Sequence, residues 1–241
     1  MDIPTEMQHQ AIGYDRAATM FSPDGHLLQV EYAEKTVRLG SSSIGLVCKD
    51  GIVIIADRRV RDKLISPESA NKIFEIDEHV VASAAGILSD IRMLTDQAQI
   101  LAQQNRVTYG GPIEPISIMR LIADKKQMFT QYGGVRPFAA AFILGGVVRG
   151  KANLYTSDVT GNFFSYKANA IGENDEKIKE ILRRDYKEEI SIEEGIKFAL
   201  KVFKEILEKN FDLQRFDVGY VTAKNEKIVR LHGDELKKYV R

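Results

Sequence analysis

A single cysteine, Cys48, and no tryptophan occur among the 241 residues. An internal disulfide is therefore excluded, as expected of a protein that works in a reducing cytoplasm. Charge of one sign is also missing: 34 basic and 34 acidic residues leave a net charge of zero. That balance argues against bulk attraction to nucleic acid or to an anionic membrane. The longest apolar run, Phe138–Val148, stops at Arg149; it is too short to span a bilayer and suits a buried strand. The opening residues MDIPTEMQHQ lack a basic stretch followed by an apolar one, so a secretion signal is not expected. His9, His26, His79 and His232 are scattered without metal-ligand spacing, and no metal is expected. Gly133-Gly134 and Gly145-Gly146 have no Lys-Ser/Thr after them, which leaves no phosphate cradle and no nucleotide cofactor to propose. There is no internal repeat and no low-complexity segment.

What is present is the pattern of a globular protein, 44% hydrophobic and long enough for one large core. Residues 1–13 are polar, carry Pro4, and show neither strand nor helix periodicity, so they read as a flexible tail. Ser22 and Pro23 suit a helix start and Gly40 a helix stop, with Leu27, Val30, Ala33 and Val37 as a narrow apolar stripe between them. Hairpins are expected at Ile44–Ala56 around Lys49-Asp50-Gly51 and at Lys72–Ala85 around Asp77-Glu78-His79. Two helices follow, at Asp90–Gln104 and Pro115–Gln131. Strands return at Phe138–Val148, Lys151–Ser157 and Asn162–Ala170. A second helix pair spans 174–187 and 191–209, ahead of strands at 217–223 and 227–231 and a last helix at 233–240. Because hairpins and helix pairs arrive in blocks, the fold class is α+β, with two mainly antiparallel sheets stacked between helix layers. Ile52–Ala56, apolar on both faces, must be covered on both sides.

One segment is far more specific than the rest. Tyr14-Asp15, Phe21-Ser22-Pro23, Gly25 and Gln29-Val30-Glu31-Tyr32-Ala33 stand in register ahead of the first strand. Together they resemble the N-terminal signature of proteasome α-subunits, most of all the archaeal ones. The likeness continues through Ala56-Asp57-Arg58-Arg59 and Gln131-Tyr132-Gly133-Gly134-Val135-Arg136-Pro137 to the final helix, so it covers essentially the whole chain. It implies a four-layer αββα sandwich of the N-terminal nucleophile hydrolase-like type with an N-terminal extension helix. Residues 1–40 would form the gate tail and extension helix, and 41–241 the sandwich domain. It further implies a non-catalytic subunit of the 20S core, part of a threonine-type endopeptidase complex in ATP-dependent protein degradation. Seven copies would form a ring that caps the catalytic β-subunits and admits unfolded protein substrates through a gated pore.

Residue by residue, the resemblance assigns Tyr14, Asp15, Pro23 and Tyr32 to the cluster that holds the gate open. It assigns Lys72, with Gly40 and Gly86, to a pocket between neighbouring subunits. That pocket takes the C-terminal carboxylate of a regulatory AAA ATPase whose tail ends hydrophobic–tyrosine–any residue; a lysine is a suitably compact charge for it. Tyr132, Gly133, Gly134 and Val135 resemble the loop that narrows the pore below the gate. Such a gate needs only small energies: a switch from 1:99 to 99:1 takes about 5.5 kcal/mol, under about 1 kcal/mol per subunit when seven act together.

The same residues carry a rival reading. N-terminal nucleophile hydrolases expose a Thr, Ser or Cys whose own α-amine acts as base. Gly40-Ser41 falls near such a processing point, so Ser41 could be the nucleophile, with Lys72 lowering its pKa and Asp57 holding Lys72. Three features oppose this. Cleavage there would remove the signature itself, serine replaces threonine poorly in this role, and the loop Ile171-Gly172-Glu173-Asn174-Asp175 lacks the hydroxyl that catalytic subunits carry.

Overall fold

A computed structural model describes residue 13, residues 16–59 and residues 64–240 of the chain. Ten strands form two five-stranded sheets among these residues. The first is ordered β10-β9-β2-β1-β8 and consists of β1 Ser43–Cys48, β2 Gly51–Asp57, β8 Ala168–Ile171, β9 Phe216–Thr222 and β10 Ile228–His232. The second, β3-β4-β5-β6-β7, consists of β3 Phe74–Asp77, β4 Val80–Gly86, β5 Ala140–Val148, β6 Lys151–Ser157 and β7 Phe163–Tyr166. Every pairing is antiparallel.

The strand alternation explains the stacking. Along β2, Val53 and Ile55 face one way, into a core shared with α4 Asp175–Asp185 and α5 Ile192–Leu207. Ile52, Ile54 and Ala56 face the other way, into a core between the two sheets. Strand β5 repeats the logic: Ala141, Ile143 and Val147 enter the inter-sheet core. Ala140, Phe142 and Leu144 meet α2 Leu88–Tyr109 and α3 Pro115–Phe129. The result is the expected αββα sandwich. At Gly45 the sheets approach so closely that a Cβ would lie 2.7 Å from the Ile143 side chain.

The N-terminal helix α1, Leu28–Leu39, is part of this core rather than an appendage. Its Val30, Ala33 and Val37 join the inter-sheet cluster and Leu28 is buried too. Burying side chains of the size of Leu28, Val30 and Val37 is worth about 1.5–3 kcal/mol each. Its start differs from the sequence expectation. Ser22 does not cap it; Leu27 holds the N-cap position without a side-chain bond. Ser22 instead closes a tight turn, its Oγ accepting from the His26 N–H at 3.1 Å and its carbonyl from the Gly25 N–H at 2.9 Å. Pro23 therefore sits in a turn, and Gly40 ends the helix as expected.

Two further differences are physical in origin. Asn162–Ala170 is not one strand: β7 pairs with β6 and β8 with β1, so the chain passes from one sheet to the other at Lys167. Residues 233–240 form a 3₁₀ turn, Gly233–Leu236, followed by one helical turn, α6 Lys237–Val240. The start of α5 is well secured by a capping box of Ser191 and Glu194, and Asp50 in the β1–β2 turn accepts from the Ile192 N–H at 2.7 Å.

Candidate functional site

The segment between α1 and β1 brings four of the singled-out residues together. Lys72 lies two residues ahead of β3, on the extended stretch that follows a 3₁₀ turn at Pro67–Ala70, and is only 7% exposed. Its Nζ donates to the Ser41 carbonyl oxygen at 2.8 Å and to the Ser41 hydroxyl at 2.9 Å. Burial pulls its ammonium from the ordinary lysine value down to about 8; Asp57 and Asp217 oppose the fall and Arg59 adds to it.

Gly40 and Gly86 meet backbone to backbone beside this pair. A Cβ on Gly40 would lie 2.6 Å from the Gly86 nitrogen, and one on Gly86, whose φ is +128°, would lie 2.0 Å from the Ala139 carbonyl oxygen. Only glycine fits both positions. Glu173 closes the same corner: its N–H donates to the Gly40 carbonyl at 2.8 Å, and its carbonyl accepts from the Ser42 hydroxyl at 2.5 Å.

Asp57 does not hold Lys72 as the hydrolase reading requires. Its buried carboxylate is taken by Arg215, with Nε at 3.1 Å and Nη2 at 2.6 Å, and by the Arg59 N–H at 3.1 Å. It acts on the lysine only through space. Asp217, which the sequence does not single out, accepts from the Lys72 N–H at 3.2 Å and lies 2.8 Å from His232 Nδ1. Ser41 itself is an internal residue, its nitrogen tied in a peptide bond to Gly40 and the continuous α1. A peptide nitrogen has no basic lone pair to activate the hydroxyl, which N-terminal nucleophile chemistry requires.

The remaining residues lie elsewhere. Tyr14 and Asp15 fall outside the described residues, as do residues 1–12 of the tail. Pro23 is exposed in its turn, and Tyr32 is half-buried on α1 with Lys35 Nζ 5.6 Å from its ring centre. Tyr132 and Gly133 are exposed, and Gly134, at φ +83°, turns the loop. That loop is anchored from below by Arg136, whose two terminal nitrogens each donate to Asp90 at 2.7 Å. Among the described residues, no group of three or more His, Cys, Asp and Glu is placed to hold a metal. No helix is long and apolar enough to cross a membrane among those residues.

Comparison with known proteins agrees with the geometry. A family model described as "Proteasome subunit" matches residues 37–221, and a second, describing the N-terminal signature of A-type proteasome subunits, matches residues 14–35. A protein of Pyrococcus horikoshii named as the proteasome alpha subunit is 42% identical over 95% of this chain and 87% of its own length. Proteins of the same name from Methanosarcina acetivorans and Methanothermobacter thermautotrophicus are 40% and 41% identical, over 95% and 96% of this chain and 93% of their own lengths. With a matching fold, a matching N-terminal segment and relatives this similar over nearly its whole length, the chain belongs to the proteasome subunit family, and within it to the α type.

Proposed function

We propose that this chain is a non-catalytic outer-ring subunit of a proteasome core, which gates substrate entry with its N-terminal tail and docks a regulatory ATPase in the Lys72 pocket. Seven copies would form the ring, stacked on catalytic β-subunits, with unfolded protein passing through the centre. The observation that carries this reading is the integration of α1. Val30, Ala33 and Val37 are built into the inter-sheet core, and the chain runs unbroken from them through Gly40 to Ser41. Cutting ahead of Ser41 would strip an apolar face from the sandwich and remove the segment that matches the α-type signature. The Lys72 ammonium, positioned by Ser41 and beside two tightly packed glycines, suits a terminal carboxylate arriving at a subunit boundary. Pro23 and Tyr32, with Tyr14 and Asp15, would hold the open gate, and the Tyr132–Val135 loop would narrow the pore beneath it.

The test is an assembled particle carrying Lys72→Ala. Rings should form and small peptides should still be cleaved, while ATPase-stimulated protein degradation should drop to the unstimulated level. Normal stimulation would remove the docking role. In the same particle Ser41→Ala should leave peptide hydrolysis unchanged, and loss of hydrolysis would favour the hydrolase reading instead.

A further inference from the structure

The Lys72 corner contains a second cation that is already occupied. Arg59, near enough to Lys72 to help lower its pKa, pairs its guanidinium with the Glu173 carboxylate, and its Nε lies 3.9 Å from Asp57. Neither end of the Arg59–Glu173 pair is placed by chance. Arg59 has φ +43°, a costly conformation for a residue with a side chain, and its N–H is fixed by Asp57 at 3.1 Å. Glu173 is fixed by its backbone to Gly40 and Ser42, the residues on either side of the serine that Lys72 grips. The two partners differ in exposure: the Arg59 side chain is 20% exposed and that of Glu173 is 43% exposed. The carboxylate is thus the partner that can leave for water.

The donor count at Lys72 gives this arrangement a consequence. An ammonium has three N–H groups. Two are spent on Ser41, so among the described residues one remains for an incoming carboxylate oxygen. A carboxylate has two oxygens, and the second needs a donor of its own. The planar guanidinium of Arg59 supplies donors in the fork geometry that carboxylates favour.

We propose that Glu173 is an internal competitor for the docking site: its carboxylate holds Arg59 in the empty state, and a partner's C-terminal carboxylate displaces it to bind Arg59 and Lys72 together. This rests on the docking role proposed for Lys72 and names the second cation of that site and the contact that must break. Glu173 then sets a threshold. A partner end without a free carboxylate gains nothing by displacing it, so the exchange selects terminal acids over the apolar part of the tail alone.

The test uses the assembled particle and a fluorescent synthetic peptide ending hydrophobic–Tyr–Ala, as the free acid and as the C-terminal amide. Binding is read by anisotropy, and intact rings are confirmed on native gels. Glu173→Gln should tighten the acid form by about threefold, the scale of a partly exposed ion pair, and leave the amide form unchanged. Arg59→Gln should weaken the acid form and cancel the effect of Glu173→Gln in the double variant; Arg59→Lys, which keeps the charge, serves if the first variant does not assemble. If Lys72→Ala weakens the acid form but Glu173→Gln changes nothing, or changes acid and amide alike, the competitor role is overturned and the docking reading stands. If the acid binds no better than the amide and Lys72→Ala has no effect, both fall together.

Discussion

Lys72 and Ser41 are joined twice, the lysine Nζ donating to the serine carbonyl at 2.8 Å and to its hydroxyl at 2.9 Å. The constellation looks catalytic, but N-terminal nucleophile chemistry there would first require the Gly40–Ser41 peptide bond to be cut. The serine nitrogen is acylated by Gly40, and the acid expected to orient the lysine is bound instead to Arg215.

The glycine pair beside it makes the first prediction. Gly86→Ala places a Cβ 2.0 Å from the Ala139 carbonyl oxygen at φ +128°. Neither the backbone contact nor the conformation can relax cheaply, so the variant should lose about 3 kcal/mol or more of stability. Denaturant unfolding of the purified chain measures this. A loss below about 1 kcal/mol would mean that the close approach of the two backbones is not as described.

A buried lysine makes the second. Lys126 on α3 is fully buried; its Nζ donates to the Ser157 hydroxyl at 2.7 Å and to the Asp158 carbonyl at 3.1 Å, and lies 5.1 Å from the centre of the Phe142 ring. Burial pulls its folded-state pKa down to about 7 from the ordinary 10.5, with Asp158 opposing the fall. The unfolded chain therefore binds more protons between those values, and the stability of the protein should rise with pH across that window. Below about pH 7 the full penalty of the buried charge is present; above 10.5 it is gone. Lys126→Met, similar in shape and uncharged, should raise the melting temperature most at about pH 6.5, where the gain is about 2 kcal/mol, and little at about pH 10. An equal shift at both pH values would contradict the assignment.

The third concerns the tail. Deleting residues 2–13 should raise peptide hydrolysis by the assembled particle in the absence of any activator. An unchanged rate would count against the tail as the gate.

How much of this could be read from the chain depends on the range of the signal. Strand β2 was legible because apolar residues on both faces require cover on both, and Val53/Ile55 and Ile52/Ile54 do enter separate cores. The hairpin at Lys49-Asp50-Gly51 and the helix stop at Gly40 were legible because turn and cap chemistry is local. The change of sheet at Lys167 was not, since the β-favouring residues on either side of it look alike whichever sheet they join. Nor was Lys126. Leu121 and Met128 on α3 are apolar yet only half-buried, whereas Ile118, Met119, Ile122, Ala123 and Lys126 are buried. Its position at i+4 from Ile122 was the available signal, masked by its charge. At the site, Lys72, Gly40 and Gly86 were named only through resemblance. Arg215, Asp217 and the Arg59–Glu173 pair were missed because their partners lie between 114 and 158 residues away, where no periodicity reaches.

The central claim is that the segment ahead of Ser41 is kept in the working protein and that peptide bonds are cut by other chains. Intact-mass measurement of this subunit from active particles, after treatment with an electrophilic inhibitor of N-terminal nucleophiles, tests it most directly. A polypeptide that retains the Tyr14–Gly40 segment and carries no inhibitor is the predicted result. One that begins at Ser41 and bears the inhibitor would contradict it.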